Sequence, residues 1–188
     1  MTDTNISLQE SLAGKIVVST PKQAESKYEG CVVLIYENGP LIGTQGVVVN
    51  RRSSLTVREL LERMDYLSYN NTLNSPLYHG GYSDDSGILM VHSGEWYSSN
   101  TRPVTEEFSV SSDTFMIEKL AVCDEPYNWM MCAGKCAWEP GELEEEIGKK
   151  YWVSAPATPE IVFSSTSDEK QWRNALEHCT KFTVDSWF

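Results

Sequence analysis

Residues 134–152, GKCAWEPGELEEEIGKKYW, decide how this chain folds. Glu139-Pro140-Gly141-Glu142 opens a helix: proline suits a first helical turn, and glutamates are favoured near the positive end of the helix dipole. Leu143 and Ile147 are four residues apart and form one apolar stripe, so Glu144 and Glu145 should fall away from it and face water. Trp138 and Trp152 flank the helix. The pattern predicts an acidic helix laid on a sheet by Leu143 and Ile147, with an indole buried at each end.

On either side of this segment the hydrophobic period alternates between strand and helix. Lys15 to Ser19 reads as a short strand stopped by Thr20-Pro21. Cys31 to Tyr36, CVVLIY, is apolar on both faces and needs cover on both. Turn residues at Glu37-Asn38-Gly39-Pro40 lead to its partner strand at Gly46 to Asn50. Further strands are expected at Leu77–His79, Ile88–His92, Trp129–Ala133 and Tyr151–Ser154. A capping box, Thr56-x-x-Glu59, starts a helix bearing Leu60, Leu61 and Met64 on one face. Ser111-Ser112-Asp113 starts another, with Phe115, Met116 and Leu120 inward. Thr166-x-x-Glu169 starts a last one, with Trp172, Ala175, Leu176 and Cys179 at helical spacing. Strands interleaved with helices predict a mixed α+β fold in one domain over residues 1–188, with an ordered core over roughly 12–180.

The composition is that of an ordinary globular chain, 40% hydrophobic and 22% charged. No apolar run is long enough to cross a bilayer, and no export signal precedes the first strand candidate, so the sequence predicts a cytoplasmic protein without membrane contact. Five cysteines in irregular spacing read as reduced thiols, most of them small buried hydrophobes. Cys132 and Cys136 lack the spacing of a redox pair or zinc knuckle. The N-glycosylation patterns at Asn5 and Asn70 read as chance. The net charge is −12, and residues 101–150 carry 11 acidic and 5 basic side chains, half of that excess. Such a surface repels phosphate backbones, so direct nucleic-acid binding is not expected, whereas a basic protein partner is.

Few residues suggest chemistry. His79-Gly80-Gly81 ends a strand, and paired glycines allow close backbone approach, either to a ligand or in a tight turn. His92-Ser93 ends another, but neighbours on a strand point to opposite faces, so the two are not a base and its nucleophile. His92 reads as a buried histidine bonded to main chain. Asp84-Asp85 suits a solvated turn or a cation. Gly43-Thr44-Gln45-Gly46 is similar to loops that clamp nucleic-acid backbones, in surroundings that are not basic. Arg51-Arg52 could hold an anion or belong to a polar loop. No phosphate-loop, dinucleotide or HExxH fingerprint occurs, so neither cofactor nor metal is predicted.

As an ordered set, several motifs resemble the AlgH/YqgE family. They are Leu12-Ala13-Gly14 with Pro21, Gly43 to Asn50, Leu55 to Leu61, Pro76 to Gly81, His92-Ser93, Trp138 to Ile147, Trp152, and Trp172 to Leu176. The chain departs from the family pattern at Gly30-Cys31, Tyr36-Glu37, Tyr82-Ser83, Gly134 to Trp138 and Glu142, as a divergent member would. The resemblance implies a single α+β domain with a bifurcated, partly barrel-like sheet surrounded by helices, and no established reaction. The leading expectation is a non-enzymatic binding or regulatory protein that meets a protein partner through an acidic face at Glu142, Glu144 and Glu145. The alternative is a small-molecule or nucleotide-binding domain or enzyme with a pocket formed by His79, Gly80, Gly81, His92 and Trp138.

Overall fold

The fold is described from a computed structural model over residues 10–68, 70–83 and 87–186. Its strands are β1 (Lys15–Ser19), β2 (Val32–Gly39), β3 (Gly43–Val48), β4 (Arg52–Thr56), β5 (Pro76–His79), β6 (Ile88–Ser93), β7 (Arg102–Pro103), β8 (Phe108–Ser111), β9 (Trp129–Ala133), β10 (Cys136–Trp138) and β11 (Trp152–Pro156). Its helices are α1 (Val57–Arg63), α2 (Thr114–Ala121), α3 (Glu142–Gly148), α4 (Pro159–Val162) and α5 (Asp168–Asp185).

The strands form two sheets. The first is antiparallel throughout, in the order β10-β3-β2-β1-β11; the second is mixed, β4-β5-β9-β6-β8-β7, with β5 parallel to β9. The expected bifurcation is therefore two separate sheets, and neither closes into a barrel. Together with the helices they make the mixed α+β architecture that the sequence pattern predicts.

Residues of β2 show why the layers stack as they do. Val32, Leu34 and Tyr36 point to the core between the sheets, where they meet Tyr78, Val91, Phe108, Val110 and Cys132 of the second sheet and Ala175 and Cys179 of α5. Cys31, Val33 and Ile35 point the other way, onto Trp138, Leu143 and Trp152 beneath α3. The two-step alternation of a strand sends each set to its own layer, and both are fully buried, as an apolar run on both faces requires. The outer face of the second sheet carries a third cluster, with Met90 and Met131 under Leu61 of α1 and Met116, Ile117 and Leu120 of α2.

Local signals set the helix ends. Thr56 and Glu59 form a reciprocal capping box at α1, and Asp113 accepts from the Met116 amide at α2. Three expectations are corrected. In α1 Leu61 is buried, while Met64 is exposed. In α2 the inward positions are Met116, Ile117 and Leu120, and Phe115 faces out. In α5 the cap is Ser167 rather than Thr166, and Trp172 and Leu176 are only half-buried beside buried Ala175 and Cys179.

Candidate functional site

The acidic helix is the segment that the sequence marks most strongly. Gly141 precedes α3 with φ +83, a left-handed conformation that glycine adopts without strain. Leu143 is fully buried, Ile147 packs at the edge of the same cluster, and both indoles are buried as expected. The carboxylates behave differently from the expectation. Glu146 faces inward, and its Oε2 accepts from Trp152 Nε1 at 2.7 Å and Trp138 Nε1 at 3.2 Å. Glu144 does not face water: its Oε1 accepts from Asn38 Nδ2 at 2.8 Å, and its Oε2 is buried without a partner. Helical geometry places positions 143, 146 and 147 close to one face, so the sheet-facing stripe takes in a carboxylate as well as the aliphatics. Glu145 is exposed and pairs with Lys149, and the exposed Glu142 accepts from the Glu139 amide.

The residues named for a pocket occupy three places. Gly80 and Gly81 lie against the backbone of Gly134 and Lys135, so closely that a Cβ at either would collide with a carbonyl there. Gly80 also accepts from Val48 N at 2.7 Å and donates to Ala133 O at 2.8 Å, which ties the two sheets together. Close backbone approach is thus what this glycine pair provides. His79 is exposed and lies 4.8 Å from the Tyr82 ring; Tyr82 meets Tyr28, which stacks at 6.0 Å on Trp138. His79, Gly81 and Trp138 therefore flank one aromatic chain.

His92 is elsewhere, on the α2 face of the second sheet. Its Nδ1 is 2.9 Å from the Ser93 carbonyl, which can only accept, so Nδ1 carries the proton and Nε2 accepts from the Ser111 hydroxyl at 2.9 Å. Thr101 completes the chain at 2.7 Å from Ser111 Oγ. Burial pushes the His92 imidazole below its ordinary value, outweighing the Ser93 carbonyl and Glu95, which act the other way. The Ser111 hydroxyl points to the side of β8 opposite Val110 and so faces away from the space between the sheets.

That space opens into a cleft of about 370 Å³, lined by Tyr36, Gln45, Leu89, Asn100, Arg102 and Lys135 among others. These come from β2, β3, β6, the approach to β7, β7 itself and the turn after β9. A bulge in β2 shapes it: Ile35 pairs with Gly46 and Glu37 with Gln45, leaving Tyr36 as the extra residue. Such a bulge re-aims side chains. Tyr36 donates to Gln45 Oε1 at 3.0 Å and lies 6.0 Å beneath the Arg102 guanidinium, which Glu37 steadies at 2.8 Å. The Gly134–Lys135 turn forming one wall is the backbone that Gly80-Gly81 presses on.

Other candidates from the sequence are committed to structure or lie outside it. Arg51 donates to Tyr82 Oη and Glu29 O, and Arg52 to Asp168 and Ser164 O. Arg52 opens β4, a strand where a polar loop was expected. Asn70 is buried, with its amide on Leu120 O and Glu125, so it holds the fold. Asp84-Asp85 and Asn5 lie outside the described residues. Cys31, Cys132, Cys136 and Cys179 are buried and Cys123 is exposed; burial pushes the Cys136 and Cys179 thiols up to about 12, with Cys31 adding to the effect at Cys136. A second depression, about 340 Å³ beside α4 and α5, is lined by groups already engaged: Gln171 Nε2 on Ile161 O, His178 Nε2 near Pro156 O, and Lys181 on Glu177. Among the described residues no helix is long and apolar enough to cross a membrane, and no group of three His, Cys, Asp or Glu could hold a metal ion.

Two sheets sharing a core, with α3 on one outer face and α1 and α2 on the other, define a small α+β class with a cleft at its seam. The chain belongs to the AlgH-like family, whose model matches residues 16–182. It is 30% identical over 171 residues to a UPF0301 protein of Gluconobacter oxydans, covering 90% of this chain and 91% of that one. A UPF0301 protein of Idiomarina loihiensis is 27% identical over 169 residues, covering 89% and 90%. The fold is similar to the solution structure of AlgH from Pseudomonas aeruginosa, with a TM-score of 0.73, 24% identity and 94% and 92% of the two chains covered. It is also similar to the crystal structure of a protein from Corynebacterium diphtheriae, with a TM-score of 0.69, 21% identity and 90% and 87% coverage.

Proposed function

We propose that this protein is a binding domain whose ligand is a small anion with a planar or hydroxylated body, held in the cleft between the sheets. The observation that carries the reading is a sign reversal: in a chain of net charge −12, the cleft is lined by Arg102 and Lys135. Its volume of about 370 Å³ suits a small metabolite. The guanidinium presents a fork of donors, and Glu37 engages it through Nη1, holding it in place over Tyr36. Tyr36 backs the site beneath Arg102 and Gln45 adds an amide, while Asn100 is held by Ser112 at both ends of its own amide. Ser111 is also among the residues lining the cleft, but its hydroxyl is turned to His92 and Thr101 on the side of β8 opposite Val110, which favours binding over catalysis. The acidic helix supports a partner-binding role less well, since Glu144 and Glu146 are drawn into the fold.

Thermal unfolding in the presence of phosphate, adenosine monophosphate and small dicarboxylates tests the proposal. A ligand at 100 times its Kd should stabilise the protein by about 2.7 kcal/mol. Arg102→Gln should keep the unliganded Tm and abolish the shift. If none of these anions shifts the wild type, or if Arg102→Gln responds fully, the reading fails.

A further inference from the structure

The outer surface of α2 is unlike the rest of this charged molecule. Phe115, Lys119 and Val122 follow one another at i, i+4 and i+7, so they form one stripe on the solvent side of the helix. Tyr97 stands beside the stripe, since its carbonyl accepts from Lys119 Nζ at 2.8 Å and its ring is 5.1 Å from that ammonium. The patch continues to Tyr127, whose amide donates to Glu95 just before Trp96 and Tyr97, and to Leu67, next to Ser68, which donates to Ala121 O. Tyr97 is 73% exposed, Val122 75%, Leu67 87% and Tyr127 88%. A group of large apolar side chains exposed to water around one helix is what an interface presents before its partner arrives, and tyrosine is among the residues that dominate such contacts.

Charge identifies the occupant. Asp65, Glu95, Glu118 and Asp124 are exposed around the patch, against the basic Arg58, which is held on Ser68 O beside Leu67. Lys119 lies inside it but is internally satisfied: its Nζ pairs with Asp124 at 3.1 Å and sits 4.4 Å from the Trp96 ring, and its side chain is only 16% exposed. The surface already holds one ammonium between aromatic rings and a carboxylate. A second copy of this chain would bring a like-charged rim against it, which disfavours self-association.

We propose that this face docks a basic amphipathic helix of a partner protein. The partner's apolar stripe would lie along Tyr97, Phe115 and Val122, with flanking Lys or Arg on Asp65, Glu95 and Glu118. Phe115 and Val122 are seven residues apart, two turns of helix, and match apolar anchors at the same interval on a partner.

Fluorescence anisotropy of a labelled 18-residue leucine–lysine peptide, patterned to be amphipathic as a helix, tests the proposal on the full chain. A scrambled peptide of the same composition measures attraction by charge alone. The patterned peptide should bind at least tenfold more tightly than the scrambled one. Phe115→Ser should lose at least tenfold in affinity with unchanged circular dichroism. Glu118→Lys should lose severalfold, and it covers the case in which the Phe115 variant fails to fold. Equal affinity for the two peptides, no rise in the anisotropy of the patterned peptide with the protein in 100-fold excess over it, or full affinity in both variants would overturn the proposal. So would sedimentation showing a dimer of the protein alone that Val122→Ser dissolves, because a second copy would then be the occupant.

Discussion

The two faces of the first sheet reverse what a count of charges suggests. The outer face, under α3, is beneath the most acidic stretch of the chain, yet two of its four helix glutamates turn inward and hold other side chains: Glu146 bonds two indoles, and Glu144 bonds Asn38. The inner face borders a cleft in which Arg102 and Lys135 stand within an acidic protein. The more conspicuous sequence feature is a buttress, and the less conspicuous residues line an open cleft. A carboxylate run therefore reports on a surface only after the direction of each residue around the helix is known.

The largest expected effect comes from the buttress itself. Leu143 is fully buried, so Leu143→Ala should cost about 2–5 kcal/mol in denaturant titration. A cost below about 1 kcal/mol would mean that α3 does not anchor the sheet. Glu146→Ala should come next, at about 1–3 kcal/mol, because it strands two buried indole N–H groups that now bond a carboxylate. Near-UV circular dichroism should report the change in the tryptophan environment, and an unaltered spectrum would argue against this linkage.

A pH titration separates stability from binding. His92 has a folded-state value below its ordinary 6.5, so the unfolded chain binds a proton that the folded one refuses. Stability should be fully present above about 6.5 and decline as pH falls through it towards the folded value, and His92→Gln should lack that limb. Because His92 lies on the α2 face of the second sheet, affinity at the cleft for an anion that keeps its charge over this range, such as oxalate, should show no matching break. A coincident break would couple His92 to the site.

The smallest contrast sets two neighbours against each other. Glu144→Ala removes the acceptor for Asn38 and should cost about 1 kcal/mol. Glu145→Ala removes only an exposed pair with Lys149 and should stay within about 0.5 kcal/mol. Equal costs from chemical denaturation would show that the inward and outward assignments are not distinct.

Much of the fold was legible where one physical signal dominated. β1 and β9 match their expected limits, and the all-apolar β2 forced a layer onto each of its faces. Trp138, Leu143 and Trp152 came out buried for the reason their spacing gave. β8 was missed because it alternates Phe108 and Val110 with serines: both faces are buried, but the serine face meets His92 through the Ser111 hydroxyl rather than by apolar contact alone. β10 is three residues long, too short for a period, and β4 looks like a polar loop until Arg52 finds Asp168. In α2 the inward place expected for Phe115 is taken by Ile117, which packs in the cluster of Met90 and Met131. The cleft was illegible for another reason. Tyr36, Gln45, Leu89, Arg102 and Lys135 are scattered over about a hundred positions, and only strand pairing and a bulge bring them together. The Gly80-Gly81 pair packs on the Gly134–Lys135 wall of the cleft without lining it.

An amide chemical-shift titration with phosphate or adenosine monophosphate tests the account most directly, since one spectrum reports on both faces of the first sheet. The account predicts saturable shifts at Gln45, Leu89, Asn100, Arg102 and Lys135, with Glu142 to Glu146 unmoved. Shifts centred on α3, or none at the cleft while the protein binds the anion, would contradict it.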